Sequence, residues 1–310
     1  MCSEKMSKTP SRPKSTFDWY LTNACNYRCA YCWHSHEWPE ILKKNKVVSR
    51  DVLRKRWTSV FEKQGPVHVQ IAGGEPTTYP DFLGIMEDLC RHHTVWICTN
   101  LSQPLSFWED CIRRIPARSF GLTASFHPDS AKEGEFLGKV RRLVGNDYGV
   151  EVVTVAWPPF LADLDRRKRL FGECASFGNF KFRVQPFTGD YEGRRYPEAY
   201  SADEKKLIRA ANEELNEFHQ SQTSYLLREK KVDGRRCWAG TCYVNIDADG
   251  SVYRCNSDHR ILLGNFLDGD LHLSPEPQWC DKGTCTCEWR WIVGEDGDSE
   301  SDEKERVHGR

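Results

Sequence analysis

Phe17-Asp18-Trp19-Tyr20-Leu21-Thr22, followed after Asn23-Ala24 by Cys25-Asn26-Tyr27-Arg28-Cys29-Ala30-Tyr31-Cys32, decides how this chain is read. The first six residues have the composition of a β-strand. The next eight place three cysteines in one tight loop at C-x3-C-x2-C spacing. A [4Fe–4S] cube is normally held by four thiolates, so three leave one iron open to a small molecule. Zinc competes for such loops, but structural zinc sites close with four ligands, usually from paired C-x2-C knuckles.

Working outward, the chain alternates strand and helix signals. Ser49 is a plausible N-cap for a helix through Leu53, Trp57 and Val60. A strand at Val67–Ile71 ends in Gly73-Gly74-Glu75-Pro76. Then come a helix from Asp81 to His92, a strand at Val95–Thr99, a helix at Leu105–Arg114 and a strand at Phe120–Phe126. A helix at Lys132–Val144, a strand at Val150–Ala156, a helix at Leu161–Ser176 and a strand at Phe180–Gln185 follow. A polar-faced helix at Ala202–His219 closes the sixth unit. Regular alternation predicts an α/β fold, a parallel sheet with helices outside, and six units predict a partial (β/α)6 TIM-type barrel. In such barrels reactive residues gather at the C-terminal ends of strands. The cysteine loop, the Gly-Gly-Glu-Pro run, Thr99-Asn100 and Phe126-His127-Pro128 all fall there.

With 310 residues, 44 basic against 45 acidic and a net charge of −1, the chain has no charge bias towards nucleic acid or an anionic membrane. No export signal or 18-residue apolar run is read, which predicts a cytoplasmic protein. Fourteen cysteines in such a chain favour metal binding over disulfides. Three lie at 25–32 and six at 237–287, while Cys2, Cys90, Cys98, Cys111 and Cys174 are scattered. The expected division is a flexible lead-in at 1–14, a barrel core at 15–221, a small cysteine-rich extension at 222–293 and a disordered acidic tail at 294–310. Within the extension, Tyr243–Ile246, Asp249-Gly250 and Val252-Tyr253 read as a β-hairpin. Gln222–Arg235 reads as a polar linker.

The cysteine triplet with Tyr31 before its last member, and Gly73-Gly74-Glu75-Pro76 after the second strand, resembles the radical S-adenosylmethionine superfamily through about 17–190. The resemblance implies that Cys25, Cys29 and Cys32 hold a [4Fe–4S] cluster whose open iron chelates S-adenosylmethionine. One-electron cleavage then releases a 5′-deoxyadenosyl radical that takes hydrogen from a substrate carbon. Gly73, Gly74, Glu75 and Pro76 would meet the methionine moiety, the first three through carbonyls approaching its ammonium. Tyr31 would lie against adenine, Ser125 near ribose or carboxylate, and Arg183 near the carboxylate. A reducing flavodoxin or ferredoxin is the implied electron donor.

Cys237, twelve residues, Gly250, four residues and Cys255 resemble the opening of twitch or SPASM extensions, with Cys242 inside it. The closing Cys280, Cys285 and Cys287 depart from the usual SPASM spacing. The resemblance implies one auxiliary [4Fe–4S] cluster on Cys237, Cys242, Cys255 and one of the last three. Two clusters and a structural zinc knuckle remain open. Cys98 stands where a hydrogen donor to a substrate radical would sit, against a reading as core. His34, His36, His127 and Asp190–Glu192 stand where substrate enters, or on the surface. Only about sixteen residues precede the first strand, which points to a small-molecule substrate such as a sugar, aminocyclitol or natural-product intermediate, undergoing oxidation or epimerisation. Maturation of a ribosomal peptide and a non-catalytic Fe–S or zinc protein are the alternatives.

Overall fold

The computed structural model describes residues 14–34, 38–228, 236–256, 258–280 and 292–293. The expected lead-in and acidic tail, His36, Cys285 and Cys287 lie outside them, apart from Lys14.

Six parallel strands form the centre: β1 (Thr16–Thr22), β2 (His68–Gly73), β3 (Thr94–Thr99), β4 (Phe120–Ser125), β5 (Gly149–Ala156) and β6 (Phe180–Pro186), adjacent in that order. Helices α1 (Trp38–Lys43), α2 (Arg50–Gln64), α3 (Phe82–Leu89), α4 (Leu105–Arg114), α5 (Glu133–Val144) and α6 (Leu164–Gly172) lie between them in sequence. This is the partial barrel the alternation predicts.

The two faces of the sheet differ, as the period-2 geometry of strands requires. Phe17 and Trp19 of β1 are buried against Trp57 of α2, and Val69, Ile71, Val95, Ile97 and Leu122 are sealed on the same convex face. The concave face carries Asp18, Trp96, Cys98, Thr123, Glu151 and Arg183. The register sets Asp18 beside Gln70 and Gln70 beside Trp96, with Cys98 beside Thr123 and Thr123 beside Glu151. Trp96 lies over Gly121, where a Cβ would collide with its ring, and its indole N–H donates to Thr123 Oγ1 at 2.8 Å.

Four expectations about elements are corrected. The helix expected over Leu161–Ser176 is α6 flanked by 3-10 turns at Pro158–Asp163 and Glu173–Phe177. The helix expected over Ala202–His219 breaks into α7 (Ala202–Ala211) and α8 (Glu217–Leu226). Asn212 at the break turns its amide onto the open edge of β6: its Oδ1 accepts from Val184 N and its Nδ2 donates to Val184 O, each at 2.8 Å. Helix α8 also occupies the start of the expected linker, burying Thr223, Tyr225, Leu226 and Leu227. A small hairpin of β7 (Gly189–Tyr191) and β8 (Arg194–Tyr196), read from sequence as loop, lays Tyr191 on Trp157 with ring centres 4.4 Å apart.

The extension joins the same sheet. After β9 (Arg236–Cys237), strand β10 (Tyr243–Ile246) pairs in parallel with β1. It forms the expected hairpin with β11 (Ser251–Cys255), turning at Gly250, whose φ of +89° favours glycine. Strands β12 (Asp258–Asn265) and β13 (Asp270–Leu271) continue outward to complete ten strands. β14 (Gln278–Trp279) and β15 (Ile292–Val293) flank β9 in a separate small sheet.

Candidate active site

The cysteine loop leaves the C-terminal end of β1 and is tied down by backbone contacts with the Gly-Gly-Glu-Pro run. Gly74 N donates to Thr22 O at 2.7 Å and Glu75 N to Ala24 O at 2.8 Å. A Cβ on Gly73 would strike the Thr22 carbonyl, and one on Gly74 the Ala24 carbonyl. Gly73 also has φ +125°, a conformation side chains rarely adopt. The two glycines are therefore needed for chain against chain, in addition to any ligand they meet.

Glu75 is 1% exposed and its carboxylate is fully committed. Oε1 accepts from Thr77 N at 3.1 Å, Thr77 Oγ1 at 2.6 Å and Thr99 Oγ1 at 2.8 Å, and Oε2 accepts from Asn100 N at 2.7 Å. Burial pushes its pKa up, and these donors oppose the shift. Its own carbonyl accepts from Thr78 Oγ1 at 2.7 Å. Glu75 thus knits the end of β2 to the end of β3, while Pro76 is buried in the short 3-10 turn that follows.

Sequence reading missed the asparagines that frame the loop. Asn45 Oδ1 accepts from Asn23 N at 2.8 Å and Thr22 Oγ1 at 3.2 Å. Asn26 donates to Ser102 Oγ at 2.8 Å and accepts from Asn100 Nδ2 at 2.9 Å. Only Thr99-Asn100, at a strand end, gave a signal.

Within the loop, Cys29 is buried and Cys25 and Cys32 are half-buried, none in a disulfide. Tyr27 N points at Cys25 Sγ at 3.4 Å, and Arg28 Nη1 donates to Cys25 O at 2.6 Å. Burial raises all three thiol pKa values, that of Cys29 to about 12. Three soft sulfur donors in one loop, with a backbone N–H directed at one of them, fit an iron–sulfur cluster, and binding such a cationic group would displace their protons. Among the described residues no three Cys, His, Asp or Glu side chains form a preassembled metal-binding group.

Tyr31 is buried beside this loop. Its hydroxyl is 3.0 Å from His127 Nδ1, its ring stacks on His127, and Trp157 and Phe160 close around it. Burial lowers the His127 pKa to about 4, so the imidazole is neutral near pH 7. His34 lies edge-on to Trp38, and Asp190 pairs with Arg195 at 2.8 Å.

Ser125, Val153 and Arg183 are in register at one level of the concave face. Arg183 turns back to Glu151, Nε to Oε1 at 3.0 Å and Nη2 to Oε2 at 3.2 Å, and also reaches Gln185. His219 of α8 adds a 3.2 Å contact to Glu151 Oε1. Burial alone would raise the Glu151 pKa, but Arg183 and His219 hold it well below the usual carboxylate range. Arg183 therefore already has a carboxylate partner within the protein. Cys98 lies one level deeper, its pKa raised to about 12 by burial and then by Asp18 and Glu151. It sits on the concave face, apart from the helix-packed core that holds Cys90, Cys111 and Cys174.

In the extension, Cys237, Cys242 and Cys255 are buried in one cluster with Trp238, Ala239 and Tyr243, and Cys280 packs against it. Four cysteines from three separate segments thus converge. Ala239 N points at Cys237 Sγ at 3.4 Å. Thiols are the donor type that iron–sulfur clusters and structural zinc both take, although among the described residues no three of these are preassembled as a metal site.

Residues 19–116 match the family model described as the Radical SAM superfamily, and this segment is a radical SAM domain. That superfamily implies a [4Fe–4S] cluster and S-adenosylmethionine. More particularly, a GTP 3′,8-cyclase of Klebsiella pneumoniae is 28% identical over 155 residues, 48% of this chain and 43% of its own length. One of Actinobacillus succinogenes is 40% identical over 102 residues, 29% of this chain and 28% of its own. The matched segments thus span less than half of these curated relatives. Among solved structures, Streptococcus suis SuiB bound to S-adenosylmethionine aligns with TM-score 0.58 at 13% identity, covering 82% of this chain and 64% of that one. anSMEcpe with bound AdoMet and Cp18Cys peptide aligns with TM-score 0.55 at 17% identity, covering 83% and 78%. At these identities the likeness is one of fold. Among the described residues no helix is long and apolar enough to cross a membrane.

Proposed function

We propose that the chain is a radical S-adenosylmethionine enzyme that activates a C–H bond of a small polar substrate held in the barrel. An auxiliary cluster on Cys237, Cys242, Cys255 and Cys280 would assist oxidation or epimerisation. Cys25, Cys29 and Cys32 would hold the cluster that supplies one electron to split S-adenosylmethionine and generate the hydrogen-abstracting radical. The carbonyls of Gly73 and Gly74 would receive the methionine ammonium, because the Glu75 carbonyl is engaged by Thr78. Tyr31, held by neutral His127, would present its ring to adenine, and Ser125 would face the ribose. Trp157 and Phe160 shield that wall from water.

The observation that carries the substrate class is the concave face. Among the described residues it carries the Gln70 amide, the Asp18 carboxylate and the Ser125 hydroxyl, while the Trp96 indole N–H is engaged by Thr123 and the cation Arg183 is already neutralised by Glu151. A nucleoside triphosphate, the substrate named in the GTP 3′,8-cyclases, needs several unpaired cations. A sugar or aminocyclitol needs the hydrogen-bonding groups found here. The test is anaerobic reconstitution followed by 5′-deoxyadenosine measurement with GTP, a panel of sugars and aminocyclitols, and a peptide. Stimulation by a sugar or aminocyclitol is expected. Stimulation by GTP or peptide alone overturns the substrate class, and absence of all cleavage under strong reductant overturns the enzyme reading.

A further inference from the structure

We propose that Arg254 sets the reduction potential of the auxiliary cluster, as a fixed buried positive charge beside the four cysteines. The inference rests on the auxiliary-cluster reading above. Arg254 is 8% exposed and immediately precedes Cys255. Its Nε donates to Ala239 O at 3.2 Å, on the turn between Cys237 and Cys242. Its Nη2 donates to Gln278 O at 3.0 Å, two residues before Cys280. One guanidinium therefore touches both other segments that bring cysteines to the pocket. Gly240, at φ +86°, admits the stem: a Cβ there would sit 3.1 Å from Arg254 Cγ.

Among the described residues the charge has no acidic partner. Among the described residues the other buried arginine, Arg167, is paired with Asp163 at 3.2 Å, and the half-buried Arg183 is paired with Glu151 at 3.0 Å. Among the described residues Arg254 has only carbonyl partners. Burying an unpaired cation is costly, so the site calls for an anion. A cube held by four thiolates is a net anion, and one-electron reduction by an external low-potential donor makes it more negative while leaving the four thiolate bonds in place. A fixed cation at this position favours the reduced form.

The test uses the full chain with Cys25, Cys29 and Cys32 replaced by Ala, so that only the auxiliary cluster is observed. The protein is reconstituted anaerobically and titrated with dithionite, with the reduced cluster followed by electron paramagnetic resonance. R254Q is expected to keep its iron and sulfide and to shift the reduction equilibrium at least tenfold towards the oxidised form, about 59 mV for one electron. R254K is expected to stay near the parent. An unchanged equilibrium in iron-replete R254Q overturns the proposal. If R254Q loses iron, R254K decides: iron and potential both retained uphold the role of charge, and any other result overturns it in favour of a structural strut. Failure of the underlying reading is separately visible, because replacing Cys237 and Cys242 in the parent would then leave the iron content unchanged.

Discussion

The two cysteine sites are built in opposite ways. The first takes Cys25, Cys29 and Cys32 from eight consecutive residues, and the rest of the barrel mouth serves to hold that one loop in shape. The second gathers Cys237, Cys242, Cys255 and Cys280 from three segments that meet only because β10 and β11 extend the sheet. A site made by one loop depends on the backbone around it. A site made by convergence depends on the fold being complete, and on packing among residues distant in sequence. On the proposed reading, the first would leave a coordination position for chemistry and the second would supply four thiolates.

The largest expected effect breaks the first site directly. Replacing Cys25, Cys29 and Cys32 with Ala should abolish 5′-deoxyadenosine formation and remove about four irons per chain. Undiminished cleavage would mean that catalysis resides elsewhere. Next comes Gly74→Ala, which forces a methyl group into the Ala24 carbonyl. It should destabilise the protein by about 3 kcal/mol in denaturant unfolding and strongly lower cleavage. If stability is unchanged, the loop does not depend on that close backbone contact. The smallest effect on cleavage should come from the second site. Cys237→Ala with Cys242→Ala should leave S-adenosylmethionine cleavage within about threefold, a rate difference below 1 kcal/mol, while iron content and product yield fall. A collapse of cleavage would show that the two sites work as one.

The same contrast governs what the sequence reveals. Spacing is local, so the triplet, the Gly-Gly-Glu-Pro run and the β–α alternation can be read residue by residue. The hairpin around Gly250 is equally local. The parallel pairing of β10 with β1 joins residues more than 200 positions apart, and no period in the sequence encodes it. Helix propensity runs through Ala202–His219, yet the helix breaks at Asn212 because its amide satisfies the backbone of β6. Arg183 reads as a strand-end cation open to a ligand until Glu151 and His219 are seen beside it. Cys98 reads as core until the register sets it on the concave face with Thr123.

Asn212 has one further consequence. A barrel that stops at six strands leaves a raw margin, and such margins invite pairing with a neighbouring molecule. Here one side chain imitates the strand that is missing, answering Val184 with a donor and an acceptor at once. At Val184 that margin is therefore answered by a carboxamide rather than by closure of the sheet.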